Sequence, residues 1–153
     1  NYGAQNRKRV MRTWRLAMMA GLVMMLLMTT VFLVLPDQIL GLFNATTEML
    51  RIGRAALTII PIGLSLASVS ILCSVMFQAI GKGTYSMYLS LARQLFVLIP
   101  AAWLLSKIFH EVTAVWWAFP IAEVFTIVIA LIMFARVYQR QIRTMPPEPP
   151  VLA

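Results

Sequence analysis

From Leu16 to Leu35 the chain runs for twenty residues without a single Asp, Glu, Lys or Arg. At 1.5 Å per residue a helix of that length spans about 30 Å, the thickness of the hydrocarbon core of a bilayer. Ten of the twenty residues are Leu, Val or Phe. Each favours insertion by about 0.3–0.6 kcal/mol, so the segment belongs in lipid. The rest of the chain agrees: 61% of its 153 residues are hydrophobic and 12% charged, against about 45–50% and about 25% in ordinary soluble domains. So small a globule has too much surface to hide that excess.

The same reading predicts an all-α, polytopic membrane fold with transmembrane helices at 16–35, 55–80, 86–106 and 112–135. They are separated by an outer loop at 36–54, a turn at 81–85 and an outer loop at 107–111, with a basic segment at 1–15 and a tail at 136–153. Pro36-Asp37 ends the first helix. Asn44-Ala45-Thr46-Thr47-Glu48 reads as a helix start, with short oxygen side chains to cap free N–H groups and an acid in the first turn. Asn44-Ala45-Thr46 also fits a glycosylation sequon. Gly81-Lys82-Gly83-Thr84 is a tight turn and not a phosphate loop, because Met76 stands where the first glycine belongs and Gly83 replaces the hydroxyl residue. The proline-rich run from Met145 to Pro150 is expected to be disordered.

A formal net charge of +8 raises the question of nucleic acid, and its distribution argues against that partner. The cations sit at the edges of apolar segments, where anionic headgroups favour them. Outside the spans, nine Lys and Arg fall on the side of the termini and Lys82, and three (Arg51, Arg54 and Lys107) on the other. That asymmetry predicts both termini in the cytoplasm. Cys73 is the only cysteine, so no internal disulfide forms, and its apolar setting makes it a packing residue. The chain opens at Asn1 without an initiator Met and is read as a piece of a longer protein.

Glu123, near the middle of the fourth span, is the most informative position. A central acid costs about 2.5–3.5 kcal/mol, which the twelve Leu, Ile, Val and Phe residues of that span offset. It reads either as a proton or cation site facing a cavity or as a structural acid paired with a neighbour. Arg93 is the obvious partner: about 10 Å deep from the inner end of the third span, against about 14 Å for Glu123, on consecutive antiparallel helices. The alternative is that Arg93 snorkels to the headgroups. Pro61, Pro100 and Pro120 each interrupt a span, freeing the carbonyls of Leu57, Phe96 and Trp116. Such kinks suit a transporter or channel better than a plain anchor. Ser70, Ser74 and Gln78 share one face of the second span, as helix-packing hydroxyls or as the polar wall of a cavity. Trp103, Trp116, Trp117, Tyr85 and Tyr88 lie near span ends, as aromatic belts do. Met18, Met19, Met24, Met25 and Met28 read as lipid-facing filler. No enzyme pattern is found: His110 begins no His-Glu-x-x-His, and there is no catalytic residue, cofactor motif or Cys/His metal cluster.

Four stretches taken together resemble the C-terminal half of bacterial MATE (multidrug and toxic compound extrusion) transporters. They are Asn1-Tyr2-Gly3-Ala4-Gln5-Asn6 with its basic flank; Phe77-Gln78-Ala79-Ile80-Gly81-Lys82-Gly83; Leu91-Ala92-Arg93-Gln94 with Ile99-Pro100 and Leu104-Leu105-Ser106; and Ala114-Val115-Trp116-Trp117-Ala118-Phe119-Pro120-Ile121-Ala122-Glu123. The resemblance implies spans nine to twelve of a twelve-helix transporter of the MOP flippase superfamily, part of its C-terminal six-helix lobe, in a bacterial plasma membrane. It also implies export of small cationic or amphipathic substrates by alternating access, coupled to H⁺ or Na⁺ and completed by the N-terminal part of the same transporter. Some members carry a coupling acid in the span matching 55–80, where this chain has serines and Cys73. Coupling would then fall to Glu123 or to residues elsewhere. Two other readings stand beside this one. One is a flippase for lipid-linked oligosaccharides of the same superfamily. The other is a small membrane scaffold or assembly subunit, which would require the four-helix chain to be a complete gene product.

Overall fold

The computed structural model describes residues 2–3, 5–43 and 46–146, which are all-helical, with no strand among them. Among the described residues four helices are long and apolar enough to cross a membrane: α1 (Arg7–Val34), α3 (Thr47–Ala79), α4 (Gly83–Phe109) and α5 (Val112–Ile142). A short α2 (Pro36–Gly41) follows α1. Val10 at the start of α1 packs in one cluster with Ile80 beyond the end of α3, Leu89 near the start of α4 and Ile142 at the end of α5. Sequence neighbours among the four therefore run antiparallel, and α3 and α5 run parallel to each other. α3 is the hub, packing against α1, α4 and α5.

The helices outrun the apolar stretches that announce them. α1 begins at Arg7, where the Asn6 side chain caps the Arg9 N–H at 3.0 Å, and it carries the basic segment expected outside the span. α3 begins at Thr47 under a Thr46 cap, so the segment 36–54 contains α2 and the first two turns of α3. The helix of α5 continues to Ile142, into the expected tail. Hydropathy locates the hydrocarbon layer, whereas caps and propensity set where a helix stops, and Arg, Lys and Glu are good helix formers. The cap expected from Asn44, the Asn44-Ala45-Thr46 sequon and the proline run beyond Pro146 lie outside the described residues.

Turn chemistry follows the sequence more closely. Pro36 takes the first helical position of α2, where its missing N–H costs nothing. α3 ends on Gly81 at φ +77°. The Lys82 N–H reaches the Phe77 carbonyl at 2.7 Å and the Gly81 N–H reaches Gln78 at 3.0 Å, the paired bonds of a Schellman motif. At the opposite end of the bundle Arg54 grips Asp37 at 2.6 Å and Arg51 pairs with Glu48 at 2.8 Å.

The three internal prolines have three outcomes. α3 continues through Pro61, and the Pro61 carbonyl accepts the Thr29 hydroxyl of α1 at 2.8 Å. That uses the single Thr29 proton, so the 2.6 Å contact between Thr29 and Ser65 has Ser65 as donor. Thr29→Val should therefore cost about 0.6–1.7 kcal/mol, the range of interhelical hydrogen bonds in membranes, in the unfolding of the purified protein; no change would mean that the two hydroxyls merely fill space. Before Pro100, α4 widens into a π-helical stretch, Ala92–Leu98, in which the Ile99 N–H bonds to Gln94 five residues back. Before Pro120, α5 breaks at Trp116–Trp117, and the freed Trp116 carbonyl takes the Phe119 N–H at 3.2 Å.

Not every aromatic joins a belt. Trp103, Trp117 and Tyr88 are exposed. Tyr85 instead packs edge-on against buried Phe77 at 6.1 Å, and the Trp116 indole nitrogen is buried. Met19, Met24 and Met28 are exposed, while Met18 and Met25 are half-buried. Cys73 is fully buried in the core.

Candidate functional site

α3 and α5 meet along two rows of small side chains. Gly63, Ala67, Ser70 and Ser74 recur at helical spacing on α3, and Ala118, Ala122, Thr126 and Ala130 do so on α5. Such rows let backbones approach closely where lipid gives no hydrophobic drive to associate. The approach is close at the prolyl break: a Cβ on Gly63 would lie 3.1 Å from the Pro120 nitrogen. Glu123 projects into this seam one turn past Pro120, with 7% of its surface accessible.

A carboxylate so placed needs partners, and it has two. Arg93 Nη1 donates to Oε1 at 2.8 Å, and Ser70 Oγ lies 3.2 Å from Oε2. The Arg93–Glu123 pair joins α4 to α5, so the two charges stand level with each other along the bundle, and the Arg93 side chain turns to Glu123. Arg93 stands in the π-helical stretch of α4, a local form often found at functional positions. Ser70 also lies 3.0 Å from the Ala67 carbonyl. Its one proton is divided between Glu123 and Ala67, so a full bond to one weakens the bond to the other.

Beside this cluster lies a cavity of about 210 Å³, whose polar wall includes Ser70, Ser74, Gln78, Arg93 and Thr126. The structure thus brings together all five polar residues singled out from the sequence. Glu123, Arg93 and Ser70 are in contact, and Ser74 and Gln78 line the adjoining space. Gln78 donates to Ser86 at 2.8 Å across the α3–α4 turn. Of the prolines, Pro120 adjoins the cluster, Pro100 sits just beyond the π-helical stretch, and Pro61 is tied to α1. Sequence reasoning passed over Ser86, Ser90 and Thr126, which also line the cavity. Their signal was spacing: Ser86, Ser90 and Arg93 share one face of α4, and Thr126 stands one turn from Glu123. Among the described residues no three of His, Cys, Asp and Glu stand close enough to share a metal ion.

The model of the MatE family matches residues 1–104. This chain belongs to the MatE family. It is therefore part of a multi-pass membrane transporter, and that family consists of transporters and not enzymes. No curated protein matches the chain, and no solved structure does. The MatE match takes in α1 to α3 and most of α4, including Ser70 and Arg93, and stops before Glu123.

Proposed function

We propose that the chain is part of a cation-coupled efflux antiporter for small amphipathic or cationic substrates, and that Arg93, Glu123 and Ser70 form its charge-bearing switch. The observation that carries this is a carboxylate buried mid-span, held by one arginine and one hydroxyl, beside a polar cavity. A volume of about 210 Å³ holds a few waters, at about 30 Å³ each, and falls short of the roughly 300–1,000 Å³ of drug-sized sites. The cavity suits ion or proton passage, leaving substrate to a larger space completed by the rest of the transporter.

The switch follows from hydrogen-bond bookkeeping. With Glu123 ionised, it accepts from Arg93 and from Ser70. A proton taken up on Oε2 reverses the second bond: Glu123 donates to Ser70, and Ser70 turns its own proton to the Ala67 carbonyl. The Arg93 contact loses its counter-charge at the same moment. A Na⁺ ion sharing the carboxylate with nearby hydroxyls would weaken the Arg93 contact in the same way. Either event changes how strongly α4 is held to α5, and that differential interaction biases two packings of the lobe. The excess of Lys and Arg at one end supports placing both termini in the cytoplasm.

The test is substrate efflux by the full-length transporter under separate H⁺ and Na⁺ gradients, with and without Glu123→Gln. Transport under the driving gradient should fall by roughly tenfold or more, with insertion and expression unchanged. Undiminished efflux from a normally expressed variant would remove Glu123 from the mechanism.

A further inference from the structure

A strongly basic surface lies at the end of the bundle where α1 begins. A cavity of about 630 Å³ opens between the first turns of α1 and the end of α5, and its wall includes Arg7, Lys8, Arg12, Arg15, Met19 and Tyr138. The placement is ordered. Lys8, Arg12, Arg15 and Met19 recur at intervals of four, three and four residues, which puts them on one face of the helix with the cations above and the apolar side chain below. Arg15 directly precedes Leu16, where the uncharged run begins. Arg12 is one turn higher, about 4.5 Å along the axis. Both therefore fall within a headgroup layer about 5–8 Å thick.

The opposite wall is fixed. Tyr138 holds Arg7 through its hydroxyl at 3.2 Å, with the guanidinium 6.0 Å from its ring centre, and the Arg7 N–H bonds to the Pro146 carbonyl at 3.3 Å. Nothing described at this end neutralises Arg12 or Arg15. The carboxylates that pair with Arg51, Arg54 and Arg93 are Glu48, Asp37 and Glu123, and Asp37, Glu48 and Glu111 belong to the opposite end of the bundle.

We propose that this cavity is a binding site for one acidic glycerophospholipid. Its phosphate lies between Arg12 and Arg15, which can present paired N–H donors to it, and its acyl chain runs down the exposed side of Met19. The paired charges at headgroup depth and the exposed Leu16 and Met19 side chains beneath them select a lipid over a soluble anion.

The test uses the full-length transporter, purified and stripped of lipid, with its thermal unfolding midpoint as readout. Phosphatidylglycerol should raise the midpoint by at least ~3 °C, while phosphatidylcholine and glycerol 3-phosphate leave it in place. Arg12→Gln/Arg15→Gln should lose most of the rise. Arg12→Lys/Arg15→Lys should keep part of it, and Lys82→Gln, off this face, should keep all of it. If the double glutamine variant does not fold, the two single variants decide in its place, each losing part of the rise. An equal rise with phosphatidylcholine, an undiminished rise in the glutamine variants, an equal loss in Lys82→Gln, or a rise with glycerol 3-phosphate alone would each overturn the proposal. None of these readouts depends on transport, so the switch at Glu123 stands or falls separately.

Discussion

Replacing Arg93 with methionine should lower the stability of the folded protein by about 3 kcal/mol, the low end of the range for breaking a buried ion pair. The cost comes from what is left behind. Glu123 would remain in the α3–α5 seam with Ser70 as its sole remaining partner, and a carboxylate without its counter-charge is expensive where water is scarce. The low end applies because the Arg93 side chain keeps 35% of its surface accessible against 10% for Glu123. Glu123→Gln should cost less, since its amide oxygen still accepts from Arg93. The double variant Arg93→Met/Glu123→Gln should recover much of the Arg93→Met loss, because a neutral pair carries no stranded charge. Unfolding of the purified wild type, both single variants and the double variant in detergent closes the cycle. Strictly additive losses would show that the 2.8 Å contact contributes no coupling energy.

That the two charges meet was within reach of counting. Each lies a known number of residues from the edge of an apolar run, and a helix converts residues to depth at a fixed rise. The share of Ser70 in the cluster was not within reach, because depth says nothing about rotation. Only packing decides that the face carrying Ser70, and not the one carrying Ile71, turns toward α5. The four membrane crossings were legible for a similar reason: hydropathy reports contact with lipid, and lipid is a uniform solvent along each span. The π-helical stretch Ala92–Leu98 was not legible. Its residues are ordinary helix formers, and only Pro100 hints that the ladder must open. Tyr85 and Trp116 depart from the aromatic-belt pattern because proximity to a span end does not fix which way a ring faces. Tyr85 sits at the α3–α4 turn against Phe77, and Trp116 sits at the prolyl break stacked on Phe119. The basic face of α1 was legible as charge, but the contact of the adjoining Arg7 with Tyr138 from the far end of the chain required the fold.

The prolyl break and the buried pair are mechanically joined, and Gly63 is where that joint can be loaded. An alanine there would set its Cβ 3.1 Å from the Pro120 nitrogen and 3.3 Å from the Phe119 carbonyl carbon. Both are backbone atoms that no rotamer change can move, so α5 itself has to shift by a few tenths of an ångström. Helix propensity favours alanine over glycine by about 1 kcal/mol, comparable to the strain of a mild overpacking, about 1–3 kcal/mol. Gly63→Ala should therefore change stability little, whereas Gly63→Leu should lower it by about 3 kcal/mol or more. The functional effect should not follow stability. Ser70 lies two turns farther along α3 and Glu123 one turn past Pro120, so a displaced α5 stretches the 3.2 Å contact between them before it disturbs the core around Phe77. Gly63→Ala should thus cut efflux by the full-length transporter several-fold at near-normal stability. Ala67→Gly, which adds no atom to the same seam, should leave the proposed switch intact despite a propensity loss of about 1 kcal/mol. Should Gly63→Ala transport as well as wild type while Gly63→Leu still unfolds, the close approach at Pro120 would be a packing feature with no link to the charge cluster.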